Sequence, residues 1–273
     1  MTLWFAALLG LLQGLTEFLP ISSTAHLRIA GDLFGWGDPG AAFTAVVQIG
    51  TELAVLLYFR HDIWRIVTTW TRSLVRPELR GHLDARMGWY VIVGTIPIVV
   101  LGVAFADQIE TVARNLYLIG TTLIVLGVLL GVADRFGRHD RPIARLGLRD
   151  AVLLGLAQAA ALVPGVSRSG ATISMGLALG LERAAAARYA FLLAIPSVLG
   201  AGIYQLGDAF GGRSRYGAGP IVLATVIAFV VGYAAIAWLL RYLATRSYLP
   251  FVVYRVALGL AVFALLGVGV LEP

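Results

Sequence analysis

The chain has no cysteine, no lysine and few charged residues of any kind. The lack of cysteine excludes disulfides and thiolate metal sites. Charged residues make up 13% of the 273 positions and hydrophobic residues 59%, whereas a soluble domain is about 25% charged. Charge this sparse over the whole length indicates an integral membrane protein. Because the apolar runs are long and do not alternate with polar residues, we expect an all-α polytopic membrane protein.

All 21 basic residues are arginine, against 15 acidic ones, so the net charge is +6. In a soluble protein this excess would suggest nucleic acid. Here the positive charge comes from arginine clusters between apolar runs. By the positive-inside rule we expect these clusters to be cytoplasmic loops, and we expect no nucleic-acid partner. The connections at 107–114 and 207–218 carry fewer arginines and are expected outside. The arginine-rich segments are 60–86, 135–149 and the turn near Arg241, Arg246 and Arg255.

A membrane-spanning helix needs about 20 apolar residues. Two further apolar segments are interrupted: 2–35 is broken at Pro20, and 150–181 at Pro164 and Gly165. The pieces after the breaks have about 12 residues, or roughly 18 Å of helix, which is too short for a core of about 30 Å. We therefore predict two re-entrant helix pairs beside six transmembrane helices. The six runs that are long enough to span are 40–59, 87–106, 115–134, 184–206, 219–241 and 250–270.

The chain contains a weak internal repeat with a spacing of about 145 residues. The sequence Gly10–Gln13 (GLLQ) recurs as Gly155–Gln158 (GLAQ). Each half has one broken pair and three spans, and because three is odd, the second half is inverted relative to the first. The expected fold is one membrane domain, 1–273, with an inverted-topology repeat of about 1–134 and about 150–270. In such folds the helix breaks meet near the midplane and usually mark the functional site.

The first break concentrates polar chemistry in an apolar region. Glu17 lies four residues after Gln13, so the two share a helix face. The hydroxyl residues that follow Pro20 are suited to cap a new helix from about Ala25. His26 is three residues after Ser23 and shares its face. The polar residues of this break are Gln13, Glu17, Ser22, Ser23, Thr24 and His26.

The second break repeats this layout and adds a guanidinium. A charged side chain at the bilayer centre costs at least about 2.5–3.5 kcal/mol, so Arg168 needs a partner at depth, either Glu17 or an anionic ligand. Glu52, in the first spanning run, is a further candidate to support the site or pair with Arg168. Two helix N-termini, Arg168 and several hydroxyls predict a phosphate-binding site at membrane depth. The polar residues of the second break are Ser167, Arg168, Ser169 and Thr172.

The segments Glu17–His26 (EFLPISSTAH) and Pro164–Thr172 (PGVSRSGAT) resemble the two signature motifs of the bacterial undecaprenyl pyrophosphate phosphatases of the bacitracin-resistance type. The resemblance extends over the whole chain in length, hydropathy and motif placement. It implies hydrolysis of undecaprenyl diphosphate to undecaprenyl phosphate and inorganic phosphate, which recycles the lipid carrier for cell-wall synthesis. It also implies a place in the bacterial plasma membrane with the active site facing the periplasm, re-entrant pairs, and a homodimer as a family trait.

The resemblance also assigns roles. Glu17 then matches the second acidic position of the family, Ser23 its nucleophilic serine, His26 its motif histidine and Arg168 its diphosphate-binding arginine. We expect Glu17 to be a catalytic residue that holds the cation and His26 to act as base or acid. Serine or a water attacks the terminal phosphorus; the sequence leaves both open. The family uses a divalent cation, Mg²⁺ or alternatively Ca²⁺, but Gln13 stands where many members have Glu, so a two-carboxylate metal site needs another acid. The expected substrate-binding residues are Gln13, Ser22, Thr24, Ser167, Ser169 and Thr172.

The alternative function is a transporter or flippase of a lipid phosphate, because inverted repeats and broken helices are common in transporters. A carrier would use the same arginine and hydroxyls. It has no need of a nucleophile together with an acid–base pair, so the cluster of Glu17, Ser23 and His26 favours an enzyme. A channel is a weaker interpretation, because no apolar run carries a sustained polar stripe.

Overall fold

A computed structural model describes residues 3–37, 39–106, 115–210 and 217–272, and this part of the chain is helical without β-strands. The connection predicted at 107–114, and residues 211–216 of the one predicted at 207–218, lie outside the described residues. The helices are α1 Leu3–Thr16, α2 Ser23–Leu33, α3 Ala41–Tyr58, α4 Arg60–Val75, α5 Leu83–Ala104, α6 Leu116–Phe136, α7 Leu148–Ala159, α8 Arg168–Ala178, α9 Arg183–Phe210, α10 Ala218–Leu243 and α11 Leu249–Gly267.

Among the described residues, five helices are long and apolar enough to cross a membrane: α5, α6, α9, α10 and α11. They confirm five of the six predicted spans and the polytopic membrane fold. The sixth, predicted at 40–59, is α3, which qualifies only together with α4, and the two are bent by 78°. The segment 60–86 was expected to be a loop, and this is wrong for its first part. Its arginines interrupt the apolar run but not the helical pattern, and Trp70 of α4 packs against Gly88 of α5.

Both broken helices fold back on themselves, as re-entrant pairs should. At the start of α1, the Phe5 ring lies 3.9 Å from the ring of Trp36, which follows the end of α2. At the second pair, Arg141 donates to Asp150 in the first turn of α7 at 2.7 Å and to the Leu179 carbonyl at the end of α8 at 2.7 Å. Each pair therefore begins and ends at one end of the bundle.

The two pairs open at opposite ends. Helix α3 begins shortly after Trp36 and leads at its far end into α4, where Asp62 is ion-paired with Arg188 in the second turn of α9. Since α9 follows directly after α8, the α7–α8 pair opens at the end away from Trp36. The orientation of these ends in the membrane and the repeat boundaries stay predictions.

Two glycines at a spacing of 145 residues make close helix crossings. A Cβ atom at Gly10 in α1 would lie 2.5 Å from the carbonyl oxygen of Ala224 in α10. A Cβ atom at Gly155 in α7 would lie 2.4 Å from the carbonyl oxygen of Gly94 in α5. The two re-entrant pairs are thus each held against a spanning helix by a backbone-to-backbone contact that only glycine permits.

Replacing Gly155 by alanine should therefore lower stability. The added methyl group forces α5 and α7 apart, which we expect to cost about 1–3 kcal/mol and to lower the thermal midpoint of the purified chain in detergent. The control is Gly219→Ala in α10, where no atom of the described residues lies within 4 Å of the added atom. Equal midpoints for both variants would contradict the close crossing.

Candidate active site

Each break is turned by a capping serine with left-handed backbone geometry. Ser22 has φ 72° and Ser167 has φ 69°, a region that non-glycine residues rarely adopt. The Ser22 hydroxyl accepts a hydrogen bond from the amide of Ala25 at 3.4 Å, and the Ser167 hydroxyl accepts one from Gly170 at 3.1 Å. The predicted caps are confirmed at Ser22 and Ser167. Helix α1 ends at Thr16, before Pro20, so the chain makes a turn between the two helices.

One fully buried guanidinium joins the two breaks. Arg255 of α11 is 0% exposed and donates to the Pro20 carbonyl at 3.0 Å and to the Gly165 carbonyl at 3.0 Å. It also donates to the carbonyls of Val166, Leu123 and Thr122. Grouping Arg255 with the cytoplasmic arginines was wrong, because α11 continues through it and carbonyl oxygens take the place of water. The available signal was its position inside an apolar run, where a charge needs a partner.

Glu17 is at the centre of the polar cluster. Its carboxylate is ion-paired with Arg168, 151 residues away in sequence, and the two side chains are only 6% and 18% exposed. Its Oε2 atom accepts from Ser23 Oγ at 2.7 Å and from Gln13 Nε2 at 2.6 Å. Of the two partners expected for Arg168, Glu17 or an anionic ligand, the structure shows Glu17. The two breaks therefore share one acid, one guanidinium and one hydroxyl.

Six of the ten predicted site residues line one cavity of about 640 Å³ that opens between the two breaks. Its polar end also contains Gln48, which the sequence did not single out and which donates weakly to Glu17 Oε2 at 3.4 Å. Its remaining walls are mostly apolar, with side chains such as Val99 and Pro196. Such a cavity suits a ligand with an anionic head and an apolar tail. The predicted site residues on its wall are Glu17, Ser22, Ser23, Thr24, Ser167 and Arg168.

The other predicted binding residues lie behind this wall. Gln13 and Thr172 are fully buried. Ser169 Oγ lies 3.3 Å from the carbonyl oxygens of both Glu17 and Leu19, to which its one hydrogen is shared, and so connects the second break to the first. These side chains shape the site without lining the large cavity.

His26 is turned away from the cluster. Its Nδ1 lies 2.7 Å from the Ser22 carbonyl and its Nε2 lies 2.7 Å from the Tyr254 hydroxyl. Because a carbonyl oxygen only accepts, Nδ1 carries the hydrogen and Nε2 accepts from Tyr254. Neither cavity beside Glu17 includes His26 in its wall. The spacing of His26 from Ser23 predicts which helix face carries His26, but it does not predict which residue of another helix that face contacts.

The donor set near Glu17 consists of oxygen atoms. Among the described residues no three His, Asp or Glu side chains lie together as a metal-binding group. However, Glu52 is a second buried carboxylate at the cluster, and in this part of the chain Gln13 Oε1 and Glu52 Oε1 are buried without a hydrogen-bond partner. Oxygen ligands of this kind fit Mg²⁺ or Ca²⁺.

The fold and the site define a multi-pass membrane protein that holds an acid, a guanidinium and a hydroxyl between two re-entrant helix pairs. The chain belongs to the family described as "Bacitracin resistance protein BacA", whose model matches residues 6–261. It is 67% identical to "Undecaprenyl-diphosphatase" of Nocardioides sp. over 97% of both chains. It is 59% identical to "Undecaprenyl-diphosphatase 2" of Frankia casuarinae over 100% of this chain and 98% of the relative. It is 57% identical to "Undecaprenyl-diphosphatase" of Thermobifida fusca over 98% of this chain and 91% of the relative. The resemblance drawn from the two motifs is thereby confirmed.

Proposed function

We propose that this chain is an undecaprenyl-diphosphatase. It hydrolyses the phosphoric anhydride of undecaprenyl diphosphate, giving undecaprenyl phosphate and inorganic phosphate, and so recycles the lipid carrier for cell-wall synthesis. The observation that carries the proposal is the Glu17–Arg168 pair with Ser23 at the polar end of the large cavity. The names of the relatives support it. An active site facing the periplasm and a homodimer are part of the proposal.

The cavity can separate the two ends of such a lipid. The diphosphate binds at Arg168 and the N-termini of α2 and α8, where free amide groups and the helix dipoles favour anions. The polyprenyl chain follows the apolar wall, which includes Val99, Val103 and Ala201. Binding the anion draws Arg168 from Glu17, so Glu17 gains the freedom to accept a proton.

Ser23 Oγ already donates to Glu17 Oε2. In the proposed reaction Ser23 Oγ, or a water in its place, attacks the terminal phosphorus, and Glu17 takes the proton of whichever group attacks. The bond from that phosphorus to the bridging oxygen breaks, and undecaprenyl phosphate leaves. With Ser23 as nucleophile, a water then attacks the phosphoserine, Glu17 returns its proton to Ser23 Oγ as the bond from Oγ to phosphorus breaks, and inorganic phosphate leaves. Glu17, helped by the Gln13 carbonyl, would hold a divalent cation, which when bound neutralises negative charge on the phosphate oxygens.

The choice between serine and water is open to a direct test. If Ser23 is the nucleophile, Ser23→Ala lowers kcat for phosphate release by a factor of about 10³ or more. Ser197→Ala is the control, because Ser197 also lines the cavity but donates to the Ala194 carbonyl, away from Glu17. Near-normal turnover of Ser23→Ala would assign the attack to water.

The acid–base role of His26 stays a prediction, because in this structure both ring nitrogens bond to Ser22 and Tyr254. If His26 transfers a proton, His26→Ala lowers kcat by about 10²–10⁴ and removes one limb of the pH–rate profile. A lower kcat with an unchanged profile would instead make His26 a positioning residue that holds the Ser22 carbonyl.

Phosphate release distinguishes an enzyme from a lipid-phosphate flippase. The purified chain in detergent, given undecaprenyl diphosphate and Mg²⁺, has no second compartment to move lipid into. We expect inorganic phosphate to be released with multiple turnovers. Lipid binding without release would contradict the proposed function and favour the carrier.

A further inference from the structure

Glu52 is a buried carboxylate for which the proposed reaction has no role. It lies in the middle of α3, is 2% exposed, and its Oε1 atom has no hydrogen-bond partner in the described part of the chain. A small cavity of about 10 Å³, about the size of one water, separates it from the first break. The polar residues on the wall of this cavity are Glu17, Glu52, Arg168 and Ser169.

The charged groups on the wall of this cavity sum to −1 when both carboxyl groups are ionised, and they balance when one of the two is protonated. Glu17 and Glu52, when ionised, carry two negative charges, and Arg168 supplies one positive charge. The nearby guanidinium of Arg255 is engaged by backbone carbonyls. An excess buried charge is costly unless it is paired or bound to a metal. A bound divalent cation would change the net charge of Glu17, Glu52 and Arg168 from −1 to +1. A positive net charge favours binding of the anionic diphosphate of the lipid.

We propose that Glu52 is a ligand of a divalent cation and that Glu17 and Glu52 together form a two-carboxylate site. We assign Gln13 as the third oxygen donor, because its Nε2 donates to Glu17 and its buried Oε1 has no hydrogen-bond partner among the described residues. The all-oxygen set selects a hard cation such as Mg²⁺, Ca²⁺ or Mn²⁺. The inference rests on the proposed function for its purpose, because it assigns the cation of that same site, but cation binding is measurable without substrate.

The direct test is Mn²⁺ binding to the purified full chain in detergent, without substrate, followed by the loss of the free Mn²⁺ EPR signal. Glu52→Gln keeps the shape of the side chain and removes its charge. We expect its Mn²⁺ affinity to be at least about tenfold weaker than that of the wild type. Glu182→Gln, an exposed carboxylate just before α9, should bind as the wild type does. Wild-type affinity in Glu52→Gln would overturn the proposal.

A second variant separates lost charge from lost folding. Gln13 touches the Glu17 carboxylate, so Gln13→Glu places a carboxylate at the same group from α1. The double variant Glu52→Gln with Gln13→Glu should recover Mn²⁺ affinity to within about threefold of the wild type. A double variant that unfolds at the wild-type temperature but binds as weakly as Glu52→Gln would contradict a two-carboxylate site.

Phosphate release from undecaprenyl diphosphate, measured on the same preparations, distinguishes failure of the cation site at Glu52 from failure of the proposed phosphatase function. A wild type that binds Mn²⁺ through Glu52 but releases no phosphate leaves the inference standing and removes the proposed function. A wild type that releases phosphate, with Glu52→Gln binding Mn²⁺ normally, leaves the function and removes the inference. In that second case Glu52 is only a counter-ion of Arg168.

Discussion

Arg168→Ala is expected to lower kcat/KM for phosphate release from undecaprenyl diphosphate by a factor of about 10³ or more. The guanidinium is the charged group of the second break on the cavity wall, next to Ser23 and Glu17. Arginines that stabilise charge in phosphoryl transfer contribute about 10³–10⁵ in rate. Its removal also leaves the buried Glu17 carboxylate without its ion pair.

Two further variants make this prediction specific. Arg168→Lys keeps the charge but loses the planar fork, so its activity should lie between that of the wild type and that of Arg168→Ala. Arg138→Ala removes an arginine of an exposed ion pair with Asp140 and should leave activity unchanged. Equal losses in Arg168→Ala and Arg138→Ala would contradict a role for Arg168 at the reacting phosphate.

Arg255→Leu is expected to destabilise the chain by about 3–5 kcal/mol and to abolish activity, although Arg255 lines neither cavity beside Glu17. Its guanidinium donates to carbonyls of both breaks, including Pro20 and Gly165. Buried acceptors left without a donor each cost about 1–3 kcal/mol. The measurement is the thermal midpoint in detergent, with phosphate release measured below that midpoint.

The matched control is Arg241→Leu, which removes an exposed arginine in the last turn of α10 and should change neither quantity. Arg255→Lys should be intermediate, because an ammonium has three donors and cannot span both breaks. A stable and active Arg255→Leu variant would show that the two breaks are held together without this guanidinium.

The sequence predicted those parts of the site that follow from local chemistry or from the cost of charge in a membrane. Proline, glycine and serine at fixed offsets located both breaks and their caps. The cost of a charge at depth showed that Arg168 needs a partner, and Glu17 was one of the two candidates. Arg255 lies inside an apolar run and is subject to the same cost, which indicates a buried guanidinium with partners. Its place near Arg241 and Arg246 instead made it resemble a loop arginine.

Other features depend on which helices become neighbours, and local pattern does not contain this information. The bond from His26 to Tyr254 joins residues 228 positions apart, so helix periodicity places His26 on the Ser23 face without showing where the ring points. Helix α4 was missed because its arginines resemble a cytoplasmic loop, although its apolar residues pack on α5. Gln48 and Glu52 are four residues apart and share a helix face. This spacing indicates a role in the site only once α3 is known to lie beside the two breaks.

The claim on which the account depends is that the two breaks together bind the terminal phosphate. An experimental structure of the chain with a non-hydrolysable methylene analogue of a polyprenyl diphosphate tests it most directly. We predict that the terminal phosphorus lies between α2 and α8, with its oxygens bonded to Arg168 and Ser23 Oγ about 3–3.5 Å from the phosphorus. A diphosphate bound elsewhere, with Glu17 and Arg168 still paired and out of its reach, would contradict the account.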